Sequence, residues 1–174
     1  MIDETNTQFG EISELQVGDE LLRLSYTGVE ELDPPYNEHV HLKTYTLPDH
    51  VGEDLAVISI YEGYTTPPQI TKRKGPIIDT PIAGSGYFVI KEEGMPIRII
   101  PFRVGDPDPK LSQVQVTYAA GTHQMIVAGK GGAVIAERCI PAFTPGDNSN
   151  VNLETDPTIP RNFKRIARAL VPFD

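Results

Sequence analysis

The amino-acid sequence predicts an all-β domain. Short apolar runs recur along most of its 174 residues, and sixteen prolines and fifteen glycines are scattered between them. That punctuation is the mark of many short strands. Several runs alternate apolar and polar residues with a period of two, the repeat of a half-buried strand. Together these favour a barrel or sandwich over a helical architecture. The length suits one domain with extensions and allows a substantial buried core.

Residues 1–36 read as an N-terminal extension packing on the barrel. Val17, Leu21, Leu22 and Leu24 make a short apolar cluster there, a strand or a helical turn. Asp33-Pro34-Pro35 stops it, because consecutive prolines remove donors and fix the backbone. The barrel occupies residues 37–143. Residues 40–47 alternate Val40, Leu42 and Thr44 against His41, Lys43 and Tyr45, as a strand does. A turn over 48–54 leads to a β-branched strand at 55–63, with Ala56, Ile58 and Ile60 opposite Leu55, Val57 and Ser59. Residues 67–72 read as a short strand entered through prolines, and 74–81 as a loop or short strand. Residues 84–90 form a strand entered through two glycines. After a turn at 91–96 comes a strand at 97–104, with Pro101 marking an edge or bulge. Residues 105–110 are a plain loop, and 112–121 alternate Val114, Val116 and Tyr118 against Gln113, Gln115 and Thr117. Gly129-Lys130-Gly131-Gly132 predicts a hairpin between strands at 123–129 and 131–140. About eight to ten strands result, with no helix among them. Residues 144–174 are an irregular segment and a short C-terminal α-helix. Pro160 suits its first turn, and Phe163, Ile166, Ala167 and Leu170 make one apolar stripe on a basic helix.

The formal net charge is −9, and residues 1–54 carry 13 acidic side chains against Arg23 and Lys43 alone. An acidic front of this kind disfavours nucleic acid or an anionic membrane as partner. It reads as a solvated extension, or as a complement to the basic tail RNFKRIARAL. No apolar run approaches the ~18 residues of a membrane span. The N-terminus lacks the basic start and apolar stretch of a signal peptide, so a cytoplasmic location is expected. A single cysteine, Cys139, precludes an intrachain disulfide, and its apolar neighbours mark it as structural. No P-loop, dinucleotide fingerprint or Ser/His/Asp order is present.

Residues 63–90 resemble the first signature of the cupin family. In that signature a glycine precedes His-x-His by five residues, a glutamate follows, and a second glycine closes the motif. Here Gly63 is followed six residues later by Gln69, then Ile70 and Thr71. Pro67-Pro68 is similar to the proline common before the family's first histidine. Asp79 lies seven residues before Gly86, as the glutamate lies before the closing glycine. The interval from Thr71 to Asp79 is longer than the pattern, an insertion. Residues 116–129 resemble the second signature through Ala119-Ala120-Gly121, which places Gln124 at the histidine position and His123 one position early. The resemblance covers roughly residues 40–143 and implies a double-stranded β-helix, a cupin-like jelly-roll barrel.

It also frames the chemistry. Cupins that hold a metal use two histidines, a carboxylate and a later histidine; here those positions read Gln69, Thr71, Asp79 and Gln124. Amides and hydroxyls are weak neutral donors to a divalent ion, so no tightly held metal is expected there. Those four residues, with Tyr87, are instead expected to line a polar interior. Its ligand would be a small polar molecule such as a sugar derivative or organic acid. Two enzyme readings stay open beside this binding role. A divalent metal could use His39 and His41, which share one side of a strand, together with His123 and Glu38 or Glu137. A metal-free isomerase or epimerase could use His123 as base with Tyr118, Tyr64 or Tyr87 as partner. The plain alternative for each tyrosine is core packing with a satisfied hydroxyl. Lys72-Arg73-Lys74 reads as a solvated loop tip or as a receptor for an anionic group. The resemblance further implies a homodimer, which would cover an exposed sheet edge.

Overall fold

A computed structural model describes residues 12–73 and 75–150. Among these residues eleven strands form two sheets, joined by little helix. β1 (Glu14–Val17) and β2 (Glu20–Arg23) make a two-stranded hairpin. The other nine strands form a sheet folded over on itself. Two long strands cause the fold: β7 (Ile77–Lys91) and β10 (His123–Cys139) pair antiparallel along almost their whole length.

Each long strand serves both halves of the barrel. The first half contains β3 (Ser25–Glu30), β4 (Val40–Thr46), β5 (Asp54–Ile60), the C-terminal part of β10, the start of β7 and β9 (Val116–Tyr118). The second contains β11 (Asn148–Asn150), β6 (Gln69–Thr71), the N-terminal part of β10, the end of β7 and β8 (Arg98–Arg103). Between them lies a core drawn from both, including Ile58, Ile135 and Tyr118 from the first half and Phe88, Ile90 and Phe102 from the second. Burial of these side chains is the main force closing one half on the other.

The expected hairpin at residues 129–132 is not a reversal. β10 runs on through it, keeping β7 on the same edge before and after, whereas a hairpin would have reversed its direction. The glycines serve a bend instead. The register slips between Ala128 and Ala133, and both Gly84 and Gly132 adopt positive φ, +77° and +79°. A Cβ on Gly84 would stand 2.0 Å from the Gly132 carbonyl oxygen, so the two backbones meet where no side chain fits. Residues 74–81 and 84–90 likewise merge into the single strand β7. The plain loop expected at 105–110 contains the start of a one-turn helix, α1 (Pro109–Ser112). Asp108 accepts the Lys110 backbone N–H as its cap and Pro109 supplies the first position, so the strand begins only at Val116.

Pro101 sits on β8, which pairs with β7 alone among the described strands, so its missing N–H costs no ladder bond. The apolar cluster near the N-terminus resolves as strand. Leu22 and Leu24 pack with Tyr45, Leu55 and Val57 on the outer face of the first half. No helix among the described residues is long and apolar enough to cross a membrane. Lys74 and the expected C-terminal helix lie outside the described residues.

Candidate functional site

Register decides which side chains meet inside the barrel, because directly opposed residues of paired strands share a face. One row across the first half reads Thr44, Ala56, Glu137, Asp79, Val116. The row on one side reads Glu30, Leu42, Ile58, Ile135. The row on the other reads Asp54, Cys139, Ile77, Tyr118. Four carboxylates therefore fall on one concave face among apolar neighbours.

Above this face is a cavity of about 640 Å³. Glu30, Asp54, Glu137 and Cys139 reach it from the first half, and Gln69 and Asn148 from the second. Residues 31–33, which follow β3, and the segment from Phe143 to Asn148 complete its wall. Asn148 Nδ2 donates to Gln69 Oε1 at 3.4 Å, linking two of the wall's polar groups.

The electrostatics follow from crowding like charges away from water. Burial, then the charges of Glu30 and Asp54, push the Glu137 carboxyl up to about 7, with the Arg73 guanidinium acting in the opposite sense. Asp79 is only 1% exposed, and its carboxyl is held well above the usual range by burial and by Glu137. Its Oδ2 accepts the Tyr118 hydroxyl at 2.9 Å, which offsets part of that rise. Burial also raises Glu30 and Asp54, the latter countered in part by the Phe143 backbone N–H that Asp54 accepts at 2.7 Å. The Cys139 thiol is pushed up by burial first and then by Glu137, so it stays protonated and inert. Arg73 is 5% exposed, not a solvated loop tip. Its Nη1 lies 3.5 Å from Asp147 Oδ2, and its Nη2 donates to the Pro141 carbonyl.

The residues singled out from the sequence divide into groups. Gln69 stands directly opposite Gln124, and Gln124 Nε2 donates to Thr71 Oγ1 at 3.3 Å, so these three meet on the inner face of the second half. Asp79 lies instead on the first half with Glu137 and Tyr118. Of the four, Gln69 is the one that lines the cavity. Tyr87 and His123 alternate with the inward Phe88 and Gln124, which turns both to the outer side of the second half. Tyr118 is buried on the first half, so His123 and Tyr118 do not face one another. Tyr64 is 44% exposed and stacks on His39 at a ring separation of 3.5 Å. His41 alternates with the buried Val40 and packs edge-on against Tyr61, away from the cavity.

The metal set of the family does not fit here. Gln69, Thr71 and Gln124 are neutral, and Gln124 is bonded to Thr71. Asp79, the one carboxylate of the four, belongs to a different cluster, so the four do not converge on one ion. Among the described residues no group of three His, Cys, Asp or Glu side chains is placed to hold a metal ion.

No family model matches this sequence, and no curated protein is significantly similar to it. Solved structures do resemble the fold. An oxalate decarboxylase of Bacillus subtilis superposes with a TM-score of 0.55 at 16% identity, over 84% of this chain and 34% of that one. Vicilin from Corylus avellana gives 0.54 at 16%, over 87% of this chain and 42% of the other. Streptomyces PAC13 with uridine gives 0.51 at 14%, over 74% of this chain and 90% of that protein. This chain thus spans about a third of the decarboxylase chain and well under half of the vicilin. These are cupin-fold proteins, and the fold of this chain is the cupin jelly-roll barrel.

Proposed function

We propose that the barrel binds a small polar, hydroxyl-bearing molecule such as a sugar derivative in the cavity walled by Gln69 and Glu137. The observation that carries this reading is the cavity's mixed wall. Carboxylates and an amide accept and donate hydrogen bonds, while Leu42, Ile58 and Phe143 offer apolar surface to a carbon skeleton. The same wall counts against a free organic acid, whose carboxylate would meet three like charges in a partly desolvated space. The uridine held by the similar PAC13 structure is an example of the ligand class favoured.

An acid–base enzyme is the second reading, and Glu137 rather than His123 supports it. A carboxyl near pH 7 beside a cavity has the proton affinity that general catalysis needs. A thermal-shift screen over neutral sugars, nucleosides and organic acids tests the primary reading. Sugars or nucleosides should raise the melting temperature, and Gln69→Ala should shrink that rise while leaving the unliganded protein within ~1 kcal/mol of wild type, as expected for a half-buried polar site. A screen in which organic acids alone stabilise the protein would refute it.

We propose also that two copies pair through a sheet edge. β3 lies at the end of its half, and Tyr26 and Val29 on it are 45% and 58% exposed. An edge strand with exposed apolar side chains offers its unpaired backbone groups to a second strand. Light scattering should return twice the monomer mass, and Val29→Lys should return the monomer.

A further inference from the structure

We infer that the ligand carries a protonated amine, seated against Glu137 with Glu30 and Asp54 around it. This rests on the reading of the cavity as the binding site and adds the charge of what enters it.

The argument is one of unmatched charge. Glu30, Asp54 and Glu137 reach the cavity from three different strands, β3, β5 and β10. Behind Glu137 on the same face stands Asp79, whose Oδ1 is buried and has no hydrogen-bond partner. Register aims it to the cavity side of the sheet, so the buried, unpartnered oxygen is a further acceptor or, when protonated, donor on that face. Asp54 accepts one backbone N–H, and the Glu137 side chain has no hydrogen bond or ion pair among the described residues. The cation nearest this set is Arg73, which already tempers the charge on Asp54 and Glu137 and pairs with Asp147 at 3.5 Å, so one guanidinium stands against Glu30, Asp54, Glu137 and Asp147 together. Asp54 and Glu137 are half-buried, and like-charged carboxylates in such a place are costly, a cost that a cation admitted from solvent relieves.

The spread of these groups points to an organic cation. Glu30 and Glu137 come from strands three apart in the sheet, and among the described residues no group of three His, Cys, Asp or Glu side chains is placed to hold a metal ion. An ammonium on a polyol skeleton can meet Glu137 at one end and leave its hydroxyls to Gln69 and the remaining carboxylates. Every charged group facing Glu137 bears on its titration: Glu30 from β3, Asp54 from β5, Asp79 from β7, and Arg73 beyond β6. Glu137 holds the Asp79 carboxyl up, Glu30 and Asp54 oppose the ionisation of Glu137, and Arg73 favours it. A bound ammonium would favour it further, so such a ligand should bind more tightly as Glu137 ionises. An aliphatic amine stays protonated up to about pH 10.

Three polyols of one length separate the possibilities: glucamine (cationic), sorbitol (neutral) and gluconate (anionic), titrated calorimetrically into the full chain. At pH 8 glucamine should bind at least tenfold more tightly than sorbitol, and gluconate should not bind. Between pH 8 and pH 6 the affinity for glucamine should fall severalfold while that for sorbitol holds. Glu137→Gln should erase the preference for glucamine, and Glu30→Gln, at an exposed position, should reduce it with no risk to folding. Equal affinity for glucamine and sorbitol would overturn the inference and leave the cavity reading standing. A preference that survives Glu137→Gln in a cooperatively melting protein would also overturn it. No heat from any of the three would end both readings for polyols.

Discussion

Glu137 occupies a place where the alternation of β10 puts Ile135 on one side and Cys139 on the other, both apolar and inward. A carboxylate there works against the fold in a pH-dependent way. Folding lifts its proton affinity from an ordinary 4.5 to about 7. Below about 4.5 the group is protonated folded or unfolded and exacts no penalty. As pH rises, the unfolded chain ionises first, so stability is lost progressively up to about 7 and no further beyond it. At ~1.4 kcal/mol per unit the loss is on the order of 3 kcal/mol. Glu137→Gln should therefore raise the melting temperature clearly at pH 8 and little at pH 4; an equal gain at both would refute the account. The sequence carried a sign of this residue, an acid inside the otherwise apolar run AVIAERC. Its neighbours Glu30 and Asp54 left none, because only register brings them to the same face.

Among the elements, the crossing of β7 and β10 was the hardest to read and is the most exacting to replace. Glycines between two apolar runs signal a hairpin by composition alone, and nothing local distinguishes a turn from a bend in a continuing strand. The partner strand settles it, and partners are not visible in a single sequence. Single strands were more legible: residues 40–46 and 54–60 appear close to where alternation places them. The hairpin of β1 and β2 was less so, since four-residue strands show barely two periods. Two glycines of nearly equal φ separate backbone strain from close approach. Gly63, at +77°, has open space around its missing Cβ, whereas Gly84, at +77°, faces the Gly132 carbonyl at 2.0 Å. Gly63→Ala should cost about 1 kcal/mol and Gly84→Ala on the order of 4 kcal/mol or more, read from urea midpoints. Similar costs at the two sites would mean that the strands do not meet there.

For the whole molecule, Arg138 holds the outer hairpin to the barrel. It leaves β10 on the outer face and meets Glu20 of β2 at 2.8 Å and Glu53 at 2.6 Å, with His50 Nδ1 3.1 Å away. Arg138→Ala should cost roughly 2 kcal/mol and expose the hairpin amides to faster hydrogen exchange than those of β5. Uniform exchange across hairpin and barrel would show that Leu22 and Leu24 anchor it without help. The cupin resemblance reached the architecture because its glycine and proline spacing survives in this chain. It reached the site poorly, because three of the positions that hold metal in cupins are two amides and a hydroxyl here, with Gln124 bonded to Thr71.

The shared strands also limit how anything gets in. Two shells sewn together by the same pair of continuous ribbons cannot swing apart as a clam does, since opening them would tear the ladder between β7 and β10. Traffic to the interior falls to the unladdered margin, where residues 31–33 face Phe143 and Pro145 across the opening. For the ligand proposed above, bulk at that lip, more than any property of the barrel floor, should set how fast it arrives and leaves.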